Sequence, residues 1–186
     1  LPDMAARFTM AWNGWAQLTA AGYEPVGFDH FALPGDALAE AARAGRLHRN
    51  FQGFTEDQAP VLIGLGASAI SQFPGVIVQN EKNAGRYRML LSQDRLTGAH
   101  GVRRSPDDQR RGAVIEQLLC HHRAVLPADL LQLVGGALAP FHERGLIDLT
   151  DDRLEIRPEG LPYARSVAAL FDPYRQDSPR RFSSAV

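Results

Sequence analysis

The sequence predicts an α/β protein that ends in a helical, winged-helix-like module. Three observations carry this expectation. Strand-like and helix-like segments alternate between Val26 and Ile70, a helix start is written plainly at Ser105, and after Pro127 the pattern turns to helices followed by a short hairpin.

Residues 3–21 read as an amphipathic helix, because Met4, Phe8, Trp12, Trp15 and Leu18 recur at three- and four-residue spacing and Gly22 stands where a helix C-cap would. A short strand around Val26 to Phe28 follows. Pro34-Gly35-Asp36 turns the chain into an alanine-rich helix over 36–44 that Gly45 ends, and 46–56 forms a loop. The nearly unbroken apolar run from Val61 to Ile70 predicts a strand buried on both faces, and strand, helix, strand in that order predicts a parallel βαβ arrangement.

Val76 to Val78 add a short strand, 81–93 a helix and 98–104 a loop or strand. Ser105-Pro106-Asp107-Asp108 has the order of a capping box with proline at the first helical position, opening a helix that buries Ile115, Leu118, Leu119 and His122. Beyond Pro127 come two short helices split by Gly135-Gly136, a hairpin over 146–157 turning at Thr150-Asp151-Asp152, and a last helix over 161–171. These boundaries divide the chain into 1–104, 105–174 and a loosely held tail, 175–186.

The 186 residues are enough for a sizeable core, and 45% of them are hydrophobic. Twenty Lys and Arg stand against 21 Asp and Glu, so no global field draws the protein to nucleic acid or to an anionic membrane. A single cysteine, Cys120, excludes an internal disulfide framework and a metal or iron–sulfur site made only of this chain's cysteines, which points to a reducing compartment such as the cytoplasm. No run of about 18 apolar residues is present to span a membrane.

Several motifs suggest chemistry that their context does not support. Gly64-Leu65-Gly66-Ala67-Ser68-Ala69 matches the dinucleotide fingerprint G-x-G-x-x-A, but Phe73-Pro74-Gly75 prevents the helix that such a site needs, and close packing accounts for these glycines. Ser68 lacks the second glycine of a nucleophile elbow. Cys120-His121-His122 resembles a metal cluster, but successive helical side chains point about 100° apart and cannot converge on one ion. Arg103, Arg104, Arg110 and Arg111, together with the hairpin, leave one alternative open: a winged-helix nucleic-acid-binding protein.

The segment 46–54 is different, because its polar groups follow no packing pattern. His48 and Arg49 can hold carboxylates, Asn50 and Gln52 offer donors and acceptors, Phe51 offers a flat apolar face, and Gly53 permits close backbone approach. The competing structural reading is that Asn50 and Gln52 tie down the loop while Phe51 fills the core.

At these residues, through G-F-D-H-F-A, L-H-R-N-F-Q-G-F and G-L-G-A-S-A-I-S over 27–71, the chain resembles the oxygen-independent coproporphyrinogen III oxidases, radical S-adenosylmethionine (SAM) enzymes of haem biosynthesis. The likeness continues through Gln79-Asn80-Glu81-Lys82, Asp107-Asp108 with Arg110-Arg111, and the C-terminal module. The resemblance implies an incomplete (β/α) barrel followed by the helical domain. It also implies oxidative decarboxylation of two propionates of coproporphyrinogen III to vinyl groups, in which a four-iron cluster cleaves SAM and the 5′-deoxyadenosyl radical abstracts a propionate hydrogen.

Gln52 and Ile70 match positions of the family's second SAM site, with Phe51 beside them. Arg49 and His48 are candidates for propionate recognition. The family's C-x-x-x-C-x-x-C cluster motif has no counterpart in these residues, so the expectation is a C-terminal half that holds no cluster and does not turn over alone. The chain is also expected to self-associate through an exposed barrel edge.

Overall fold

A computed structural model describes residues 2–175, apart from the side chain of residue 4. In chain order the elements are helix α1 (Met4–Ala20), strands β1 (Glu24–Val26) and β2 (His30–Ala32), helix α2 (Ala37–Arg43), and strands β3 (His48–Asn50), β4 (Gly53–Thr55), β5 (Ile70–Phe73) and β6 (Val76–Asn80). Helix α3 (Ala84–Ser92), strand β7 (Gly98–Arg103), helix α4 (Pro106–His121), strand β8 (Arg123–Val125), helix α5 (Ala128–Glu143) and strands β9 (Ile147–Thr150) and β10 (Arg153–Ile156) follow. Helix α6 (Ala164–Ala168) closes the described chain between two 3-10 turns, Pro158–Tyr163 and Ala169–Phe171. Apart from Arg175, the expected tail lies outside the described residues.

The chain forms two compact units. Within the described residues, one comprises 2–49, Phe54–Glu56 and 111–175; the other comprises Asn50–Gly53 and Asp57–Arg110. The first holds the hydrophobic core. Leu118 from α4, Leu138 from α5, Leu154 from β10 and Phe171 are each 0% exposed, and they pack between those two helices, the sheet β8-β10-β9 and the C-terminal turns. A second cluster in the same unit gathers Val26, Ala39, Ala41, Leu47 and Cys120.

Local rules succeeded where a cap or a turn decides. Asp36 accepts from Leu38 N at 2.8 Å and starts α2, and Asn83 accepts from Arg86 N at 3.0 Å and starts α3. The capping box forms as written: Ser105 N donates to Asp108 Oδ2 at 2.8 Å, and Asp108 N donates to Ser105 Oγ at 3.1 Å. The hairpin near 146–157 is β9 and β10, with Asp151 in the turn at φ 55.

Three expectations about the strands are corrected. Among the described residues the expected parallel βαβ arrangement does not form: β1 pairs with β2, β6 with β5 and β7, and β10 with β8 and β9, all antiparallel. The β1–β2 and β5–β6 connections are tight turns, and a parallel pair would need a long crossover. The loop 46–56 contains β3 and β4, which pair with each other. The run 61–70 is not a buried strand: Ile63 and Leu65 are 67% and 86% exposed, and Leu62 makes only an isolated bridge to Gln72.

Helix α5 runs unbroken through Gly135-Gly136 because its buried residues Leu130, Val134 and Leu138 continue at four-residue spacing across them. Core burial of that stripe outweighs a cost of about 1 kcal/mol per glycine. The buried residues of α4 are Val114, Leu118, Leu119 and Cys120, with Ile115 only partly buried. His122 lies outside the helix at φ 58. In place of the expected 161–171 helix the chain runs through a 3-10 turn containing Pro162, the short α6 and a second 3-10 turn.

Candidate functional site

In the second unit the described buried side chains are polar, Ser71 and Asn80, both 8% exposed. They organise the glycine-rich strand approach. The Asn80 side-chain amide donates to the carbonyls of both Gly64 and Gly66 at 3.0 Å, while Gly64 N donates to Ser71 Oγ at 3.0 Å and Gly66 N to Tyr87 Oη at 3.1 Å. A side chain at Gly64 would stand 2.6 Å from the Ile70 carbonyl oxygen, so only glycine fits there. The close-packing reading therefore holds at Gly64 but not at Gly66, which has open space beside it and is required by its backbone instead, at φ +110. Ser68 N donates to the Glu81 carbonyl at 2.9 Å, and Gln79 Nε2 donates to the Ser68 carbonyl at 3.0 Å. The 64–71 and 79–82 strings thus interlock. Half-buried Ile70 opens β5 opposite Gln79.

Phe51 and Gln52 form the turn between β3 and β4. Asn50 Oδ1 accepts from Gln52 N at 2.8 Å and Gly53 N at 3.2 Å, so Asn50 ties down the turn as a structural residue should. Phe51 does not fill a core, being 66% exposed. The Gln52 side chain is exposed and has no hydrogen bond among the described residues. Phe51, Gln52 and Ile70 all belong to the second unit.

His48 and Arg49 lie in the first unit, and their partner comes from α4. Glu116 Oε1 accepts from His48 Nδ1 at 3.0 Å and from Arg49 N at 3.1 Å. The Arg49 guanidinium stands 5.7 Å from the Phe28 ring centre and 5.6 Å from that of Phe54, a double cation–π contact. Phe54 meets Phe28 and His30 edge-on at 5.7 and 5.0 Å, and its ring covers Gly27. His122 Nε2 donates to the Gly27 carbonyl at 3.1 Å. The G-F-D-H and L-H-R-N-F-Q-G-F strings are therefore joined by one aromatic and cationic stack. His48 and Glu116 also line an open groove of about 670 Å³ with Arg123 and Arg153.

Sequence reasoning missed Glu116 and the role of Asn80. Glu116 lies 68 residues from His48, with no local signal linking them. Among the described residues no group of three or more His, Cys, Asp or Glu is arranged to hold a metal ion, and no helix is long and apolar enough to cross a membrane. The Arg110 guanidinium of the basic patch is paired with Asp107 at 2.5 Å.

Burial pushes the Cys120 thiol up to about 12, with Glu116 adding to the shift and Arg49 opposing it. His121 and His122 titrate below the ordinary 6.5, in both cases chiefly through burial; for His122 the Gly27 carbonyl opposes the shift, and for His121 nearby His48 and Arg123 strengthen it while Glu116 opposes it. The unfolded chain therefore binds protons that the folded rings resist. Their stabilising contribution is complete above about pH 6.5 and is lost as pH falls from there through the lower folded values. The urea midpoint is expected to fall between about pH 7 and 5.5, and His122→Asn, which suits the left-handed backbone, should flatten that slope. A midpoint constant over this window would contradict the assignment.

No family model matches the chain. Curated relatives do. An oxygen-independent coproporphyrinogen III oxidase of Cereibacter sphaeroides is 45% identical over 163 residues, covering 82% of this chain and 36% of that protein. Those of Bradyrhizobium diazoefficiens and Thermostichus vulcanus are 38% and 36% identical over the whole chain, which spans 43% and 61% of their lengths. Among solved structures, the Escherichia coli coproporphyrinogen III oxidase, described as a radical SAM enzyme, superposes with a TM-score of 0.83 at 34% identity, covering 94% of this chain and 42% of that one. None of this supports the winged-helix nucleic-acid-binding alternative. By sequence and by fold the chain matches part of the oxygen-independent coproporphyrinogen III oxidases, of whose length it spans less than two thirds.

Proposed function

We propose that the chain is the C-terminal part of a cytoplasmic radical SAM coproporphyrinogen III oxidase of haem biosynthesis, an incomplete (β/α) barrel followed by a winged-helix-like module. In this reading Phe51, Gln52 and Ile70 form part of a SAM-facing wall, and Arg49 and His48 face propionates of coproporphyrinogen III.

The observation that carries the reading is the β3–β4 turn. Asn50 does the structural work there, which leaves the exposed Phe51 ring and the Gln52 amide available to a ligand. The donor set suits SAM: an amide can bind an amino-acid or ribose group, and Phe51 with Ile70 offers an apolar wall that keeps water from the reacting centre. When bound, SAM would supply the radical chemistry of the family. The residues do not fit a four-iron cluster, because the single cysteine is buried and its thiol is held protonated.

Titration of the isotope-labelled chain with SAM is expected to shift the amide resonances of Phe51, Gln52, Gly53 and Ile70, and Gln52→Ala should weaken the response. Unchanged resonances at those four positions up to solubility-limited SAM would overturn the SAM-facing assignment.

A further inference from the structure

We infer that Glu116 is a positioning residue for carboxylate recognition: one carboxylate oxygen sets the ring orientation of His48 and the backbone of Arg49 together. The inference rests on the proposed role of those two residues toward substrate propionates, and it adds a residue from a distant helix that no motif marks.

The geometry has three parts, all in the first unit. A carboxylate only accepts, so the 3.0 Å contact from His48 Nδ1 to Glu116 Oε1 places the ring proton on Nδ1 and fixes the tautomer. The same oxygen accepts Arg49 N at 3.1 Å, which locks the start of β3. The Arg49 side chain is then held separately, with its guanidinium against the Phe28 and Phe54 rings. A flexible arginine would lose much rotamer freedom on binding a carboxylate, and this stack removes part of that cost beforehand.

Position on the molecule supports the assignment. Glu116 and His48 have side chains 37% and 45% exposed and both line the groove, which also carries Arg123 and Arg153. A buried structural pair would have no such access. Glutamate is suited to this place because one of its oxygens takes both contacts, so the ring stays oriented as an anionic group approaches.

Two variants and two readouts test the inference in the full chain. Ring-nitrogen NMR of His48, assigned among the six histidines by its own substitution, is expected to show the Nδ1-protonated tautomer in the wild type and in Glu116→Gln, and loss of that tautomer in Glu116→Ala. Binding of coproporphyrin III, the stable oxidised form of the substrate, followed by its fluorescence, should weaken about tenfold in Glu116→Ala and recover most of that loss in Glu116→Gln.

An unchanged His48 tautomer in Glu116→Ala would overturn the inference. So would unchanged binding in that variant when Arg49→Ala weakens it. If Arg49→Ala and His48→Ala both leave binding intact, the substrate reading itself fails and takes this extension with it, a result distinguishable from the other two.

Discussion

Gly27→Ala is expected to destabilise the protein by about 3 kcal/mol, from strain at a left-handed backbone position combined with overpacking. Gly27 has φ +61, and an added Cβ would lie 2.1 Å from Phe54 Cζ and 2.6 Å from both neighbouring ring carbons. The ring cannot move aside cheaply, because it is also the edge partner of Phe28 and His30 and one face of the Arg49 stack. Urea unfolding measures the loss.

A double-mutant cycle isolates the cause. In a Phe54→Ala background the clash disappears, and Gly27→Ala should then cost only about 1 kcal/mol, the backbone contribution alone. Equal costs in both backgrounds would show that the ring contact is not responsible.

Asn80→Asp is expected to be worse than Asn80→Ala, although aspartate is the closer match in shape. The Asn80 amide donates to two carbonyls, and it sits at 8% exposure. Alanine leaves both carbonyls without that donor, at a cost of about 2 kcal/mol. Aspartate turns acceptor oxygens toward acceptor oxygens in a site with little water, which adds about 1–3 kcal/mol more unless it protonates. Amide hydrogen exchange over 64–71 should accelerate in both variants, most in the aspartate. If Asn80→Asp equals the wild type, the assigned amide orientation is wrong.

These two sites show what the sequence discloses and what it withholds. The starts of α2 and α4 were readable because a cap is settled within a few residues: Asp36 and the Ser105–Asp108 box needed nothing distant. The 46–54 segment stood out because His48, Arg49 and Gln52 obey no periodicity, and the structure places all three off the core.

The errors arose where a distant partner decides. Val61 to Ile70 looks like a buried strand by composition, but burial needs a covering element, and the Gly64 and Gly66 carbonyls are taken by the Asn80 side chain in place of a neighbouring strand. Gly135-Gly136 reads locally as a helix break, but the Leu130, Val134 and Leu138 stripe that packs in the core carries the helix across it. Glu116 was invisible for the same reason: its partners, His48 and Arg49, are far away in the chain. Family resemblance located the SAM-facing candidates; the structure supplied what holds their surroundings in place.

The most direct test of the account is replacement of the matching segment in the Escherichia coli coproporphyrinogen III oxidase, 42% of that chain, by these 186 residues. Anaerobic conversion of coproporphyrinogen III by the chimera is then measured. The expected result is measurable decarboxylation that falls at least about tenfold when Gln52 is replaced by alanine, the scale of losing one polar contact to a bound ligand. A folded chimera that binds SAM normally but gives no product, or one whose activity ignores Gln52→Ala, would contradict the assignment.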